Sequence, residues 1–137
     1  MRIFLLWLAI LLGSVASAQS TRGFYPWWDG PITSDLDLNP VQKEQVQAIV
    51  RSYRTKLGAE RAAAIQAEDA LEAAFNVDAV DEARVHEGIR ELAAARQNVF
   101  ITVSEMSLKL RLVLTPVQWR ELQRRRAERA QQRNPRM

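Results

Sequence analysis

Apolar side chains in the middle of the chain fall on alternating steps of four and three residues. In a first stretch they are Val46, Val50, Tyr53, Leu57, Ala64, Ala67 and Leu71, with Glu60 in the one remaining slot. In a second they are Val85, Ile89, Leu92, Val99, Val103, Met106, Leu110 and Val113, with Arg96 in the remaining slot. Spacing of this kind, sustained over about four heptads, predicts a coiled-coil seam rather than the wider stripe of an amphipathic surface helix. Between Val41 and Asn134 the helix breakers are few, namely Pro116, Gly58 and Gly88. Ala, Glu, Arg, Gln and Leu dominate, all good helix formers. No stretch alternates with period two, so no strand is expected and the fold class is all-α.

The run from Phe75 through Asn76 and Val77 to Asp78 separates the two stretches. Asn76 suits the left-handed position at a helix C-terminus, and Asp78 suits an N-cap with Asp81 at its N3 position. So short a connection makes the two helices antiparallel neighbours. Folding about it pairs Val46 with Leu110, Val50 with Met106, Tyr53 with Val103 and Leu57 with Val99. Ala64 then meets Leu92, and Ala67 meets Ile89. The same register sets Glu60 opposite Arg96. This predicts a register pair, because a slip by one heptad leaves both buried charges unpaired, at about 3–5 kcal/mol.

An internal echo marks where helices begin. Leu38-Asn39-Pro40-Val41-Gln42 recurs as Leu114-Thr115-Pro116-Val117-Gln118. Asn39 and Thr115 read as N-caps. Pro40 and Pro116 sit at N1, where a missing N–H costs nothing. Gln42 and Gln118 sit at N3 and reach back to the cap residue's own N–H, closing a capping box. Leu114 can staple onto Trp119 at N4. The second copy therefore starts a third helix, from about Pro116 to Arg133.

The ends divide the chain further. Met1 and Arg2 are followed by an almost purely apolar run from Ile3 to Leu12, then by small residues with Ala16 and Ala18 in the positions a signal peptidase reads. Residues 1–18 are expected to be a secretory signal peptide cleaved after Ala18. Residues 19–38 form an aromatic arm punctuated by Gly and Pro, with Phe24, Tyr25, Trp27 and Trp28 crowded together. Residues 39–133 are the hairpin and third helix, and 134–137 a tail. The aromatic arm is a candidate client or partner surface. The alternative is that it folds back onto its own hairpin or onto a dimer mate, since a two-helix seam leaves Ile49, Ile65, Phe100 and Trp119 bare.

Charge and composition exclude more than they propose. The formal net charge is +3, but from Arg120 onward seven Arg face only Glu121 and Glu128. Arg124, Arg125 and Arg126 read as the solvated end of a helix, suited to its dipole, or as a surface that steers acidic clients or anionic lipid. An exported protein rarely meets nucleic acid, so no nucleic-acid partner is expected. There is no Cys, hence no disulfide. Glycine-rich phosphate loops, nucleophile elbows and acid–base pairs in a cleft are absent, so no enzyme is expected. One His is present, His86, with Glu82 one turn before it and Asp78 and Asp81 close in sequence. These residues make at most a weak divalent-metal site, since a specific one needs three or four converging ligands. No other cofactor is expected.

The repeated motif of the Leu-Thr-x-x-Gln type, flanking a helical hairpin behind a signal peptide, resembles that of the Spy/CpxP periplasmic chaperones. It also resembles their metal-resistance relatives of the ZraP and CnrX kind, to which the run from Met106 to Pro116 and on to Trp119 looks closest. The resemblance spans roughly residues 27–126, and Asn39 stands where the family has Thr. It implies a curved, dimeric, all-helical cradle in the periplasm. It further implies binding of unfolded or envelope proteins as an ATP-independent chaperone or adaptor. The alternative it offers is a heavy-metal sensor or resistance protein with an inner-membrane sensor partner. The His-rich motifs of metal-binding relatives are missing here, so their ligands do not carry over.

Overall fold

The computed structural model describes residues 26–133. The expected signal peptide, Phe24, Tyr25 and the last four residues lie outside them. After one turn of 3-10 helix, Trp27–Asp29, come four α-helices: α1, Ile32–Asp35; α2, Pro40–Phe75; α3, Glu82–Val113; and α4, Pro116–Arg133. The described residues contain no strand. The architecture is all-α, with α2 and α3 packed along one another as a long hairpin. None of the described helices is long and apolar enough to cross a membrane.

The turn between the long helices differs from expectation. The N-cap of α3 is Asp81 rather than Asp78, and its carboxylate accepts from the backbone N–H groups of Ala83 and Arg84 at 3.0 and 3.3 Å. Starting α3 later lengthens the connection to residues 76–81. The longer path relieves Asn76 of the left-handed conformation, and it sits at φ −90°. Its N–H still closes α2 on the Glu72 carbonyl.

In the half of the hairpin away from this turn, the expected seam forms. Val46, Leu57, Met106 and Leu110 are buried, and Val50, Tyr53, Val99 and Val103 pack against them. Lys109 lays its ammonium 5.1 Å from the Tyr53 ring centroid. Nearer the turn, α3 has rotated. Ile89 stands exposed instead of facing Ala67. Gly88 is turned to α2, and a Cβ added there would lie 3.2 Å from Leu71 Cδ1. A 3.6-residue helix drifts by ~20° per heptad against a strict seven-residue pattern. Over four heptads that approaches the angle of one residue, which moves the contact from positions 89 and 96 to 88 and 95.

This drift removes the expected register pair. Arg96 pairs with Glu68 at 3.4 Å, and Glu60 has Lys56 at 3.9 Å on its own helix. Glu60 stays on the seam with one carboxylate oxygen buried and without a hydrogen-bond partner.

The main core sits at the open end, where α2 starts and α3 ends. Leu110 and Leu122 are 0% exposed there, joined by Trp27, Leu36, Leu38 and Leu114. The aromatic arm therefore folds back. Ile49 and Trp119 pack against the core that its described part joins, whereas Ile65 and Phe100 remain in solvent.

Candidate functional site

The two copies of the echoed motif meet in space. The antiparallel hairpin returns the end of α3 to the start of α2, so α4 begins beside α2. Both capping boxes form. Asn39 Oδ1 accepts from the Gln42 N–H at 2.8 Å, and Gln42 Oε1 accepts from the Asn39 N–H at 3.0 Å. Thr115 Oγ1 accepts from the Gln118 N–H at 3.2 Å, and Gln118 Oε1 accepts from the Thr115 N–H at 2.9 Å. Pro40 and Pro116 occupy the first helical positions.

What sequence reasoning missed is that the two glutamines also clasp each other. Gln42 Nε2 donates to Gln118 Oε1 at 2.8 Å, and Gln118 Nε2 donates to Gln42 Oε1 at 3.1 Å. The remaining amide protons tie down flanking backbone. Gln42 Nε2 donates to the Val113 carbonyl at 3.0 Å, and Gln118 Nε2 to the Leu36 carbonyl at 3.2 Å. The signal was present in the inventory of each side chain. A capping box uses one lone pair of an amide that has two acceptor and two donor sites. Gln42 is buried, so the rest must find partners inside the protein. In an antiparallel hairpin the other copy of the motif brings a matching amide to that end.

The arm reaches this junction through Asp37, the one described non-glycine residue with positive φ, at 50°. Asp tolerates the left-handed region better than most residues. The turn it makes sends both Leu36 and Leu38 into the core. Trp27 is 5% exposed, stacks edge-on against Trp28 at 6.1 Å, and is tied by its carbonyl to Thr33 Oγ1 at 2.7 Å. Trp27 is thus withdrawn from the candidate client surface, and Trp28 packs partly against the same core. Phe24 and Tyr25 lie outside the described residues.

The arginine cluster is an ordered network rather than a loose basic face. Arg125 bridges Glu121 on its own helix, at 2.7 Å, and Asp35 of α1, at 2.8 Å. Arg124 pairs with Glu121 at 2.7 Å and with Glu128. Hydrogen bonds from Arg124 first and Arg125 second hold the Glu121 carboxyl down at about 2, against an ordinary 4.5. Arg126 also has interaction partners. Upstream, Arg111 stacks on the Trp119 ring at 4.5 Å and donates to the Leu114 carbonyl at 3.3 Å, closing the corner between α3 and α4.

His86 and Glu82 are both exposed, and Asp81 is engaged in capping α3. Among the described residues no three His, Cys, Asp or Glu side chains are grouped so as to hold a metal ion. The site that the fold builds is thus the motif junction at the open end, a polar clasp beside the core that Trp27 joins. What it can do is fix how α4 and the arm sit on the hairpin.

A family model described as heavy-metal resistance matches residues 4–121. The chain belongs to the heavy-metal resistance family, within the Spy/CpxP/ZraP-like superfamily. The match runs through both copies of the motif and into α4. No curated protein and no solved structure matches the chain. Family membership agrees with the resemblance carried by the motif run from Met106 to Trp119.

Proposed function

We propose that this member of the family is an exported periplasmic stress-response protein. It binds unfolded or partner proteins as an ATP-independent chaperone or adaptor, and it catalyses no reaction. One observation carries this reading: the hairpin leaves large apolar side chains in solvent along its length. Ile101, Leu108 and Leu112 recur on one face of α3, with Leu112 at 73% and neighbouring Phe100 at 62% exposure. Apolar side chains in a row, rather than scattered singly, mark contact surfaces. Glu105, Lys109 and Arg111 stand among them, which favours weak and adaptable binding over one tight partner. Light scattering of a heat-stressed client, with and without a stoichiometric amount of the protein, tests the reading. Suppressed scattering is expected without nucleotide, and Leu108→Ser with Leu112→Ser should reduce it.

The second reading, a heavy-metal sensor or resistance protein with an inner-membrane sensor partner, is favoured by the family description itself. His86 and Glu82, one turn apart, are the ligands this chain offers, and a complete site would draw on a second copy. Calorimetry with zinc, copper and nickel separates the two. Unaltered scattering together with micromolar metal binding would replace the chaperone by the sensor.

A further inference from the structure

The Gln42–Gln118 clasp gathers more than polar groups. Hydrogen bonds join Gln42 to the Val113 carbonyl at 3.0 Å and to Gln118 at 2.8 Å. The residue just before each of these three is an exposed aliphatic, so Val41, Leu112 and Val117 stand in solvent around one junction. They belong to the first turn of α2, the last turn of α3 and the first turn of α4. Basic side chains lie beside them. Lys43 is exposed two residues after Val41, opposed by Glu44. Arg120 and Arg124 are exposed three and seven residues after Val117, a spacing that puts all three on one face of α4. Helix α4 carries six Arg against Glu121 and Glu128. Its ion pairs engage those two glutamates and Asp35, and they leave a positive excess.

The two ends of the hairpin differ in sign. Residues 26–61 and 97–133 carry thirteen Lys and Arg against eight Asp and Glu, whereas residues 62–96 carry three Arg against eight acids. The open half is therefore positive and the tip half equally negative. The tip also exposes apolar side chains, Phe75, Val77 and Val80, so exposure alone does not tell the ends apart. Charge does, because an anionic surface attracts one end and repels the other. The way the apolar residues are presented narrows the partner. Val41, Leu112 and Val117 come singly from three segments, and they do not form the i, i+3, i+4 ladder that a partner helix reads. A fluid bilayer interface accepts separate aliphatic side chains and takes Lys and Arg head groups at its phosphates.

We infer that the open end is a docking face for an anionic phospholipid bilayer. Val41, Leu112 and Val117 enter the interface, while Lys43, Arg120 and Arg124 meet the lipid phosphates. None of the described helices can cross a bilayer, so the attachment these contacts give is peripheral. Helix α2 has 36 residues, a span of ~54 Å at ~1.5 Å per residue. The acidic tip thus lies far beyond the ~8 Å over which surface charge acts at physiological salt, and the hairpin stands out from the membrane. Ile101 and Leu108 remain clear of the lipid. The inference goes beyond the functional reading above and holds whether the protein binds clients or metal.

Cosedimentation with lipid vesicles tests it. The protein is used after removal of residues 1–18, so that the apolar leader contributes nothing. Wild type is expected to bind mixed phosphatidylethanolamine–phosphatidylglycerol vesicles, more weakly at high salt, and to ignore pure phosphatidylcholine. Lys43→Gln with Arg120→Gln should weaken binding at least about tenfold, at ~1 kcal/mol per basic residue near an anionic surface. Val41→Ser with Val117→Ser should weaken it as well and leave suppression of client scattering unchanged, which keeps lipid docking distinguishable from client capture. Both pairs lie on exposed positions, and unchanged circular dichroism and urea midpoints show that the fold is kept. Glu72→Gln with Glu87→Gln at the tip should not weaken binding. No binding to the anionic vesicles, equal binding to phosphatidylcholine, or open-end variants that bind like wild type would each overturn the inference. So would capture of polyglutamate by a wild type that leaves the vesicles alone, which would assign the face to an acidic protein.

Discussion

The open end and the tip of the hairpin are made from the same two helices but hold together by different means. At the open end four segments converge. Trp27, Leu36, Leu38, Leu110, Leu114 and Leu122 share one core, and the Gln42–Gln118 clasp satisfies the polar groups that this convergence buries. At the tip only α2 and α3 are present. Their contact is narrow, with Ala74, Val85 and Leu92 buried and Gly88 against Leu71. Two helices lined by small residues approach closely but exclude little water. The difference teaches that a continuous heptad pattern does not imply uniform stability along the rod. Apolar volume and the number of covering segments decide it.

The largest effect should separate the two regions directly. Leu110→Ala empties a fully buried position and is expected to destabilise by about 3–5 kcal/mol, whereas Leu92→Ala should cost nearer about 2 kcal/mol, the low end of the range for such changes. Urea denaturation followed by circular dichroism measures both. Equal losses would mean that the tip is packed as firmly as the open end.

Next comes the clasp. Replacing Gln118 by Leu leaves the buried Gln42 amide without its partner, at about 1–3 kcal/mol, and Gln42→Leu should cost less because Gln118 is only half-buried. The double replacement should cost less than the sum of the singles, a coupling that a double-mutant cycle reads directly. Additive losses would show that the two boxes act separately.

The glycines test packing against propensity. Gly58 has nothing within 4 Å of an added Cβ, so Gly58→Ala should stabilise by about 0.5–1 kcal/mol, the helical advantage of Ala over Gly. Gly88→Ala gains the same propensity but presses on Leu71, and should return less of it. A larger gain at Gly88 than at Gly58 would mean that the helices at the tip are not in close contact.

Acid should act on the open end through Glu121, and the effect is the smallest of these because the groups involved face solvent. The Glu121 carboxyl sits at about 2 in the folded protein against an ordinary 4.5. A depressed folded value contributes stability that is fully present above 4.5 and is lost as the pH falls from there toward 2. Trp119 fluorescence should therefore change over that interval in wild type. In Glu121→Gln the same interval should be flatter.

The features legible in the sequence were local ones. Helix starts at Pro40 and Pro116 followed from the caps, because a capping box is made within four consecutive residues. The seam in the open half followed from heptad spacing, and the return of the arm followed from the need for cover, although of the four residues named Ile65 and Phe100 stay exposed. The family was legible in the motif, since it is contiguous. What failed was cumulative or long-range. The drift of α3 toward the tip adds up residue by residue, and its sum turned Ile89 outward and sent Arg96 to Glu68. The cap at Asp81 won over Asp78 because either acid satisfies the local rule, and the length of the connection chose between them.

The sequence by itself determined the elements, their order and their antiparallel pairing, because those depend on period, caps and one short connection. Only the tertiary structure decided which polar groups meet. Gln42 and Gln118 are 76 residues apart in the chain, and no local rule couples them. Their partnership arises because folding the hairpin brings the two amides to one place, and the buried Gln42 must find its remaining partners inside the protein.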